Sequence, residues 1–510
     1  MFSSLRTISR VLLGASVVAG VAATGVFAQT TPPKAAPAAS SFDPFRLDAP
    51  LPTDPAVRAG TLPNGLRYYI RRNARPEKRV ELRLVINAGS VLEDDDQRGL
   101  AHFLEHMAFN GTKNFAKNDI VKYLESIGVR FGADLNANTS FDETIYILPV
   151  PTDSVGFLDK SFQFLSDIAT NITFDSSQVV GERGVVLEEW RGRLGAGERI
   201  LDKQLPIFLG GSRYADRLPI GLPTIIEAAN PAPIRRFWRT WYRPDLMSVV
   251  AVGDVEPARL QALITKYFGG IPKPTAPRSR VASTVPNVDT TRISILKDKE
   301  LTNTQLSVRW QQPASVDKTV GDYRRSLVER LQDAMLNQRL SEISQKPDAP
   351  FLNAGAGRGN FVRPLDIYII SGAPKEGMAM QALQVMLTEA ERVRQHGFLQ
   401  SELDRARTNM LRGYERASDE RDKTTSDNFV EEYIANFLSG EPYPGIAYET
   451  DLTRKVMPLV TLDEVNALAR QTRSAANRTI AITSPDKDGL AVPTEADVKK
   501  VLESVAGATV

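Results

Sequence analysis

The chain contains no cysteine and only three histidines among its 510 residues. Disulfide bonds and thiolate metal ligands are therefore excluded, and a metal site would need histidine and carboxylate ligands. The charged residues nearly cancel, since 63 Lys and Arg stand against 61 Asp and Glu. A chain this close to neutral gives no charge argument for binding nucleic acid or anionic membranes.

Two of the scarce histidines, His102 and His106, lie four residues apart, and Glu105 directly precedes the second. On a helix, four residues advance about 400°, so both imidazoles leave the same face one turn apart. That spacing suits two ligands of one zinc ion at about 2.0–2.1 Å. Glu105 lies about 60° from His102 around the helix axis, where it can contact a metal-bound water without being a ligand. The order His-x-x-Glu-His is that of the inverted zinc-peptidase motif.

The alternative is that these histidines are unrelated surface residues. The flanking residues 100–101 and 107–109 are apolar, which favours a largely buried helix where unpaired polar groups are costly. The third histidine, His396, lies in a segment typical of a helix C-terminus, where its charge is favourable. We therefore predict a metal site at residues 102–106 and no catalytic role for His396.

Without cysteine, the third zinc ligand must be a carboxylate or His396, and the best candidate stretch is residues 178–191, which contain three glutamates. If this segment is a helix, Glu182 and Glu189 share one face, whereas Glu188 is rotated by about 100° from Glu189. One of the two aligned acids would bind zinc, and the other would orient a histidine. A solvated acidic helix face is the alternative.

Four stretches together resemble the M16 (pitrilysin, insulinase and mitochondrial processing peptidase) family of zinc peptidases. Residues 102–112 resemble its active-site helix, and residues 131–140 resemble its substrate-pairing strand. Residues 182–189 resemble the helix that supplies the third ligand, and residues 241–254 resemble the end of its first domain. The matches occur in the family's order and cover most of residues 50–275.

The resemblance implies a role for individual residues of this sequence. The implied roles are zinc ligands for His102, His106 and Glu189, a general base for Glu105, a supporting acid for Glu182, and substrate pairing for Asn136, Ala137, Asn138 and Thr139. The distance along the chain from His106 to Glu189 is a few residues longer than the family pattern. An insertion near residues 149–153 would account for it, and Glu189 is favoured over Glu182 as the ligand.

The resemblance implies a metalloendopeptidase that binds one Zn²⁺ per chain. It would hydrolyse peptides or unfolded polypeptide segments inside an enclosed chamber. Two other classes stay open. A non-catalytic binding or assembly subunit would usually lack a ligand or the base, and this chain retains all of them. A different metal hydrolase, such as an amidase, would not need the substrate-pairing strand.

The N-terminal residues 1–28 have the features of a secretory signal peptide. Two arginines, Arg6 and Arg10, precede an apolar run at 11–26 that ends in a small-x-small cleavage pattern. The run is too short and too rich in Gly and Ala to favour a membrane anchor. Cleavage would bring the formal charge from +2 to zero. We expect a bacterial periplasmic protein, with secretion as the alternative and no stable membrane span after cleavage.

The mature chain is expected to form two similar α+β domains. Each would be a mostly antiparallel sheet with helices packed on one face, as in half of an M16 clamshell. The predicted parts are a flexible linker at 29–50, a catalytic domain at 51–275, a linker at 276–290 and a second domain without a zinc motif at 291–500. The predicted elements are strands at 66–70, 81–86 and 304–310, helices at 323–344 and 378–395, and a solvated helix at 401–433. The motif helix is expected to have its acidic start at 94–96.

The resemblance also implies a partner, because M16 clamshells combine two such halves. A second M16-like subunit or a homodimer is expected, and a longer parent chain is the alternative. In the family, the other half supplies an arginine and a tyrosine to the substrate. No pair in this chain matches them securely, and Arg412 and Tyr414 are only nominal candidates.

Overall fold

The structure is a computed structural model that describes residues 46–117, 119–126, 136–153, 155–471, 475–506 and 508–510. The predicted signal peptide at 1–28, most of the predicted linker at 29–50 and the first part of the predicted substrate strand at 131–135 lie outside these residues. None of the described helices is long and apolar enough to cross a membrane.

The first half of the chain forms a six-stranded mixed sheet in the order β1-β2-β6-β3-β5-β4. Its strands are β1 (Val57–Thr61), β2 (Arg67–Arg72), β3 (Arg79–Ile86), β4 (Asn136–Thr139), β5 (Thr144–Pro151) and β6 (Met247–Gly253). Strands β2 and β6 are parallel, and the other pairs are antiparallel. A hairpin joins β1 to β2, and Gly65 has φ +100 in its turn, a conformation that glycine adopts without strain.

The second half forms a five-stranded sheet in the order β7-β11-β8-β10-β9. Its strands are β7 (Arg292–Asp298), β8 (Gln305–Pro313), β9 (Phe351–Val362), β10 (Leu365–Pro374) and β11 (Arg478–Pro485). If β1 is set aside, both sheets place their strands in the same order: first, fifth, second, fourth and third in the chain. In both sheets the first and fifth strands are parallel. The predicted pair of similar, mostly antiparallel α+β domains is therefore confirmed.

Helices cover the sheets and connect their strands. The helices of the described residues are α1 (Leu100–Met107), α2 (Asp119–Ser126), α3 (Val155–Thr170), α4 (Ser176–Gly192), α5 (Ala196–Leu209), α6 (Arg213–Asp216), α7 (Pro223–Glu227), α8 (Pro231–Trp241), α9 (Pro257–Phe268), α10 (Val320–Ser344), α11 (Ala379–His396), α12 (Gln400–Asp419), α13 (Ser426–Ser439), α14 (Ile446–Val456), α15 (Leu462–Ala469) and α16 (Glu495–Ala506). One large core lies between the first sheet and its helices, and a second lies between the second sheet and α10, α11 and α12.

Each sheet also receives a helix from the other half of the chain on its opposite face. Helix α13 buries Val430 and Tyr433 against Tyr69 and Val250 of the first sheet. Helix α5 packs against β7 of the second sheet. The first sheet therefore has apolar residues on both faces, which explains why β6 is apolar at nearly every position and buried throughout.

The prediction of one solvated helix at 401–433 is wrong. The segment divides into α12 and α13, separated by a short 3-10 turn at Arg421–Lys423. Charged residues dominate α12, whereas α13 carries an apolar face that is buried against the first sheet. The charge density of the segment therefore did not predict that α13 is packed against the first sheet. The predicted domain boundaries at 275 and 291 stay predictions.

Candidate metal centre

Helix α1 brings the two histidines to the surface of the first core. Its residues Phe103 and Leu104 are fully buried, whereas the side chains of His102 and His106 are 12% and 19% exposed. The predicted acidic start at 94–96 is wrong, because those residues form a separate 3-10 turn and α1 begins at Leu100.

The N-terminus of α1 is capped by a side chain from outside the helix. Gly99 directly precedes the helix and has φ +99, a conformation that favours glycine. A Cβ atom at this position would lie 2.9 Å from the α-carbon of Gly221, which leaves no space for a side chain. The buried Glu93 carboxylate accepts hydrogen bonds from the backbone N–H groups of Gly99 at 3.0 Å and Ala101 at 2.7 Å. A carboxylate at this end is favourable for the helix dipole. This cap fixes the start of the helix that carries both histidines.

Three potential ligand atoms converge above α1. The Nε2 atoms of His102 and His106 are 3.3 Å apart, and Glu189 Oε2 lies 3.6 Å from the first and 3.3 Å from the second. Zinc–ligand bonds of about 2.0–2.1 Å at tetrahedral angles separate ligand atoms by about 3.3 Å. In the described part of the chain, no other group of three His, Asp or Glu side chains converges in this way. The donor set and its spacing therefore fit a zinc ion.

Glu182 lies on the same face of α4 as Glu189 but contacts the other side of His106. Its Oε1 is 2.8 Å from His106 Nδ1, and its Oε2 accepts a hydrogen bond of 2.8 Å from Asn110. A proton on Nδ1 leaves the Nε2 lone pair of His106 free to bind a metal. Glu182 therefore lies on the Nδ1 side of His106, whereas Glu189 lies beside the Nε2 atoms of both histidines. The ligand roles themselves stay predictions.

The carboxylates make this a site for positive charge. Burial and the neighbouring His106 lower the pKa of His102 to about 4. Burial also acts to lower the pKa of His106, but the hydrogen bonds to Glu182 and Glu189 outweigh it and raise that pKa to about 9. The two acids therefore favour positive charge at His106, with Glu182 at its Nδ1 atom and Glu189 at its Nε2 atom. A metal cation at the Nε2 side would be favoured by the same carboxylates.

Glu105 lies beside the converging ligands without joining them. It is 7% exposed, and its Oε2 accepts a hydrogen bond of 2.5 Å from the hydroxyl of Thr139. Burial raises the pKa of Glu105 to about 7, although the hydrogen bond from Thr139 acts in the opposite direction. A carboxyl group that titrates near neutrality is suited to accepting and returning a proton.

The predicted substrate strand is β4, which lies at the end of the first sheet beside α1. Within the described residues β4 pairs only with β5, so its other edge is open to a further strand. The N–H of Ala137 in β4 donates to Asn136 Oδ1 at 2.8 Å. Asn136 and Asn138 are exposed, and Ala137 and Thr139 are half-buried. The substrate-binding roles of these four residues stay predictions.

Long-range contacts that sequence reasoning missed hold the turn between β4 and β5. Buried Asp142 accepts hydrogen bonds from Arg280 at 3.0 Å and Tyr214 at 2.9 Å. Arg363, on the turn between β9 and β10, donates to Glu143 at 2.6 Å. The second half of the chain therefore contacts the strand beside the candidate site.

Neither residue of the pair Arg412 and Tyr414 belongs to this site. Tyr414 is 1% exposed in the core of the second half, where its hydroxyl accepts a hydrogen bond of 2.7 Å from Arg330. A tyrosine packed in this way cannot contact a peptide, so it is not the substrate-contacting tyrosine. Arg412 is exposed on α12.

Comparisons with known proteins agree with this architecture. The family model described as "Insulinase (Peptidase family M16)" matches residues 68–196, and that described as "Peptidase M16 inactive domain" matches residues 229–410. Two similar curated proteins are the "Zinc protease PQQL-like" of Arabidopsis thaliana and the "Probable zinc protease PqqL" of Escherichia coli (strain K12). They are 36% and 32% identical over 84% of this chain, which is 42% and 46% of their own lengths.

Among solved structures, the chain is similar to the first half of the periplasmic protease PqqL from Escherichia coli. The TM-score is 0.85 and the identity 27%, over 91% of this chain and 99% of that chain. The chain thus spans somewhat less than half the length of the curated relatives named above.

Proposed function

The chain belongs to peptidase family M16, and on that premise we propose that it is the zinc-bearing half of a metalloendopeptidase. It would bind one zinc ion through His102, His106 and Glu189, and it would cleave peptides or unfolded polypeptide segments. The observation that carries the proposal is the convergence of two Nε2 atoms and one carboxylate oxygen at 3.3–3.6 Å. Those separations suit tetrahedral zinc ligands.

The chemistry divides between the ion and three carboxylates. A bound zinc ion lowers the pKa of a water molecule and polarises the carbonyl group of the scissile bond. Glu105 takes a proton from the attacking water and delivers it to the nitrogen of the leaving amine. Its Oε1 is the oxygen available for this transfer, because Oε2 accepts the hydrogen bond from Thr139. Glu182 keeps a proton on Nδ1 of His106 and so holds that imidazole in its ligand orientation.

The substrate would bind as an additional strand. An extended peptide can pair with the free edge of β4, where main-chain hydrogen bonds give affinity and side-chain contacts give modest specificity. The position of β4 beside α1 supports this arrangement, because a peptide on that edge would run past Glu105 and the converging ligands.

The rest of the enzyme would come from a second M16-like unit. Because this chain covers 99% of a structure described as a first half, another subunit or a second copy would close a chamber over the peptide. The periplasmic relative and the predicted signal peptide at 1–28 support a periplasmic location. Sizing chromatography beside a cleavage assay tests the partner proposal, and high activity of a strict monomer would contradict it.

Replacing Glu105 by Gln tests the proposed function directly. The variant should keep its zinc and lose about 10²–10⁴-fold in cleavage rate, because the general base is removed. The assay is hydrolysis of a quenched fluorogenic peptide, with zinc measured by elemental analysis. Glu188→Gln is the matched control, since Glu188 is exposed on α4 and pairs with its exposed neighbour Arg191. Cleavage by Glu105→Gln at nearly the wild-type rate would rule out the mechanism.

A further inference from the structure

We infer that Thr139 is a positioning residue whose side-chain hydroxyl sets the orientation of the base Glu105. The inference rests on the proposed function, because it assumes that Glu105 is the general base. It adds a side-chain role to a residue whose predicted role was pairing with the substrate through its backbone.

The hydrogen bond between the two side chains has a defined direction. An ionised carboxylate can only accept, so the Thr139 hydroxyl donates its proton to Glu105 Oε2 at 2.5 Å. Glu105 is 7% exposed, and water therefore competes poorly for that oxygen. The hydroxyl restricts the rotation of the carboxylate and would leave Oε1 to accept the proton of the attacking water.

The strand geometry explains why this donor is well placed. Exposure alternates along β4, so Ala137 and Thr139 turn inward while Asn136 and Asn138 turn outward. Thr139 pairs with Thr144 of β5 and is the last residue of its strand. A threonine at an outward position of the same strand could not reach Glu105.

The end of β4 that carries Thr139 is also its anchored end. Ser140 N donates to Glu143 O at 2.8 Å, and the carbonyl of Ser140 accepts from Ser90 N at 3.1 Å. The contacts of Asp142 with Arg280 and of Glu143 with Arg363 hold the same turn. The Thr139 hydroxyl that bonds to Glu105 therefore stands on a part of the strand that the rest of the fold holds in place.

The test compares Thr139→Val, which removes the hydroxyl, with Thr139→Ser, which retains it. Thr139→Val should reduce kcat by about 10- to 100-fold and leave KM and zinc content unchanged, because one hydrogen bond to a charged group is lost. Thr139→Ser should restore most of kcat. Thr265→Val is the matched control, because its hydroxyl bonds only to Gln261 O on the exposed face of α9.

A second readout is independent of activity. In the Glu105→Gln background, which should bind peptide without cleaving it, adding Thr139→Val should leave the Kd of a fluorescently labelled peptide unchanged. An increase in KM or in this Kd with kcat unchanged would make Thr139 a substrate contact and overturn the inference. Failure of Thr139→Ser to restore kcat would also overturn it. Cleavage by Glu105→Gln itself would refute the proposed function, a result that the Thr139 variants alone cannot produce.

Discussion

Replacing Glu182 by Gln should weaken zinc binding without removing a ligand. Glu182 is 8% exposed and accepts hydrogen bonds from His106 Nδ1 and Asn110 Nδ2, each at 2.8 Å. Glutamine has the same shape but no charge. If its amide oxygen accepts from His106, its amide nitrogen faces the amide nitrogen of Asn110, and two donors then oppose each other. Asn110 cannot rotate freely, because its nitrogen also donates to the carbonyl of His106 at 3.1 Å.

The magnitude follows from the loss of charge in the bond to His106. Hydrogen bonds to charged groups contribute about 1.5–3 kcal/mol, and neutral ones about 0.5–1.5 kcal/mol. The difference of about 1–1.5 kcal/mol corresponds to a roughly 5- to 13-fold higher Kd for zinc. This estimate overlaps the about 10–100-fold effects known for residues that orient a metal ligand.

The assay is a competition titration in which a fluorescent chelator removes zinc from each variant. Glu189→Gln should have a larger effect than Glu182→Gln, because it removes a ligand instead of a residue that orients one. Glu188→Gln, an exposed neighbour, should match the wild type. A greater loss in Glu182→Gln than in Glu189→Gln would exchange the two roles. Unchanged affinity in Glu182→Gln would refute the argument that this carboxylate orients His106.

Three further changes test the substrate edge, the contact between the two halves and the exchanged helix. Ala137→Pro should reduce peptide cleavage and leave zinc content unchanged, since proline removes a backbone N–H from β4; normal cleavage would argue against strand addition. Arg363→Met should lower the unfolding free energy by about 1 kcal/mol in denaturant titrations, through loss of its partly buried bond to Glu143; an unchanged transition would contradict that tie. Val430→Ala should lower the free energy of unfolding by about 2 kcal/mol, because α13 buries this side chain fully. Val281→Ala, at an exposed position, should leave the free energy of unfolding almost unchanged. Equal effects of the two substitutions would contradict the packing of α13.

Local spacing was sufficient to predict the helical part of the site. His102 and His106 must share a face of any helix that contains them, because four residues make slightly more than one turn. The same periodicity placed Glu182 and Glu189 on one face of α4, which the structure describes as a continuous helix. It could not decide which of the two acids reaches the ligand position, because that depends on how α4 approaches α1.

Predictions based on charge were less successful than those based on spacing. The acidic residues at 94–96 resemble a helix start, yet α1 begins later, at Leu100. Its N-terminus is set by Gly99, whose backbone N–H donates to the buried Glu93 carboxylate. The charged segment 401–433 resembles one solvated helix, yet α13 packs against an apolar face of the first sheet. The strands of that sheet lie about 180 residues or more before α13 in the sequence. In both cases the deciding partner is distant in sequence or hidden in the core.

The sequence by itself determined the family, the two similar α+β domains and the residues of the zinc motif, because these depend on short spacings and local periodicity. Only the tertiary structure brought Thr139 to Glu105, and Arg363 to a turn 220 residues earlier in the chain. Such pairs are not encoded by local propensity. They form because two sheets, each completed by a helix from the other half, bury apolar surface together. That packing fixes where the strand beside the motif helix must lie.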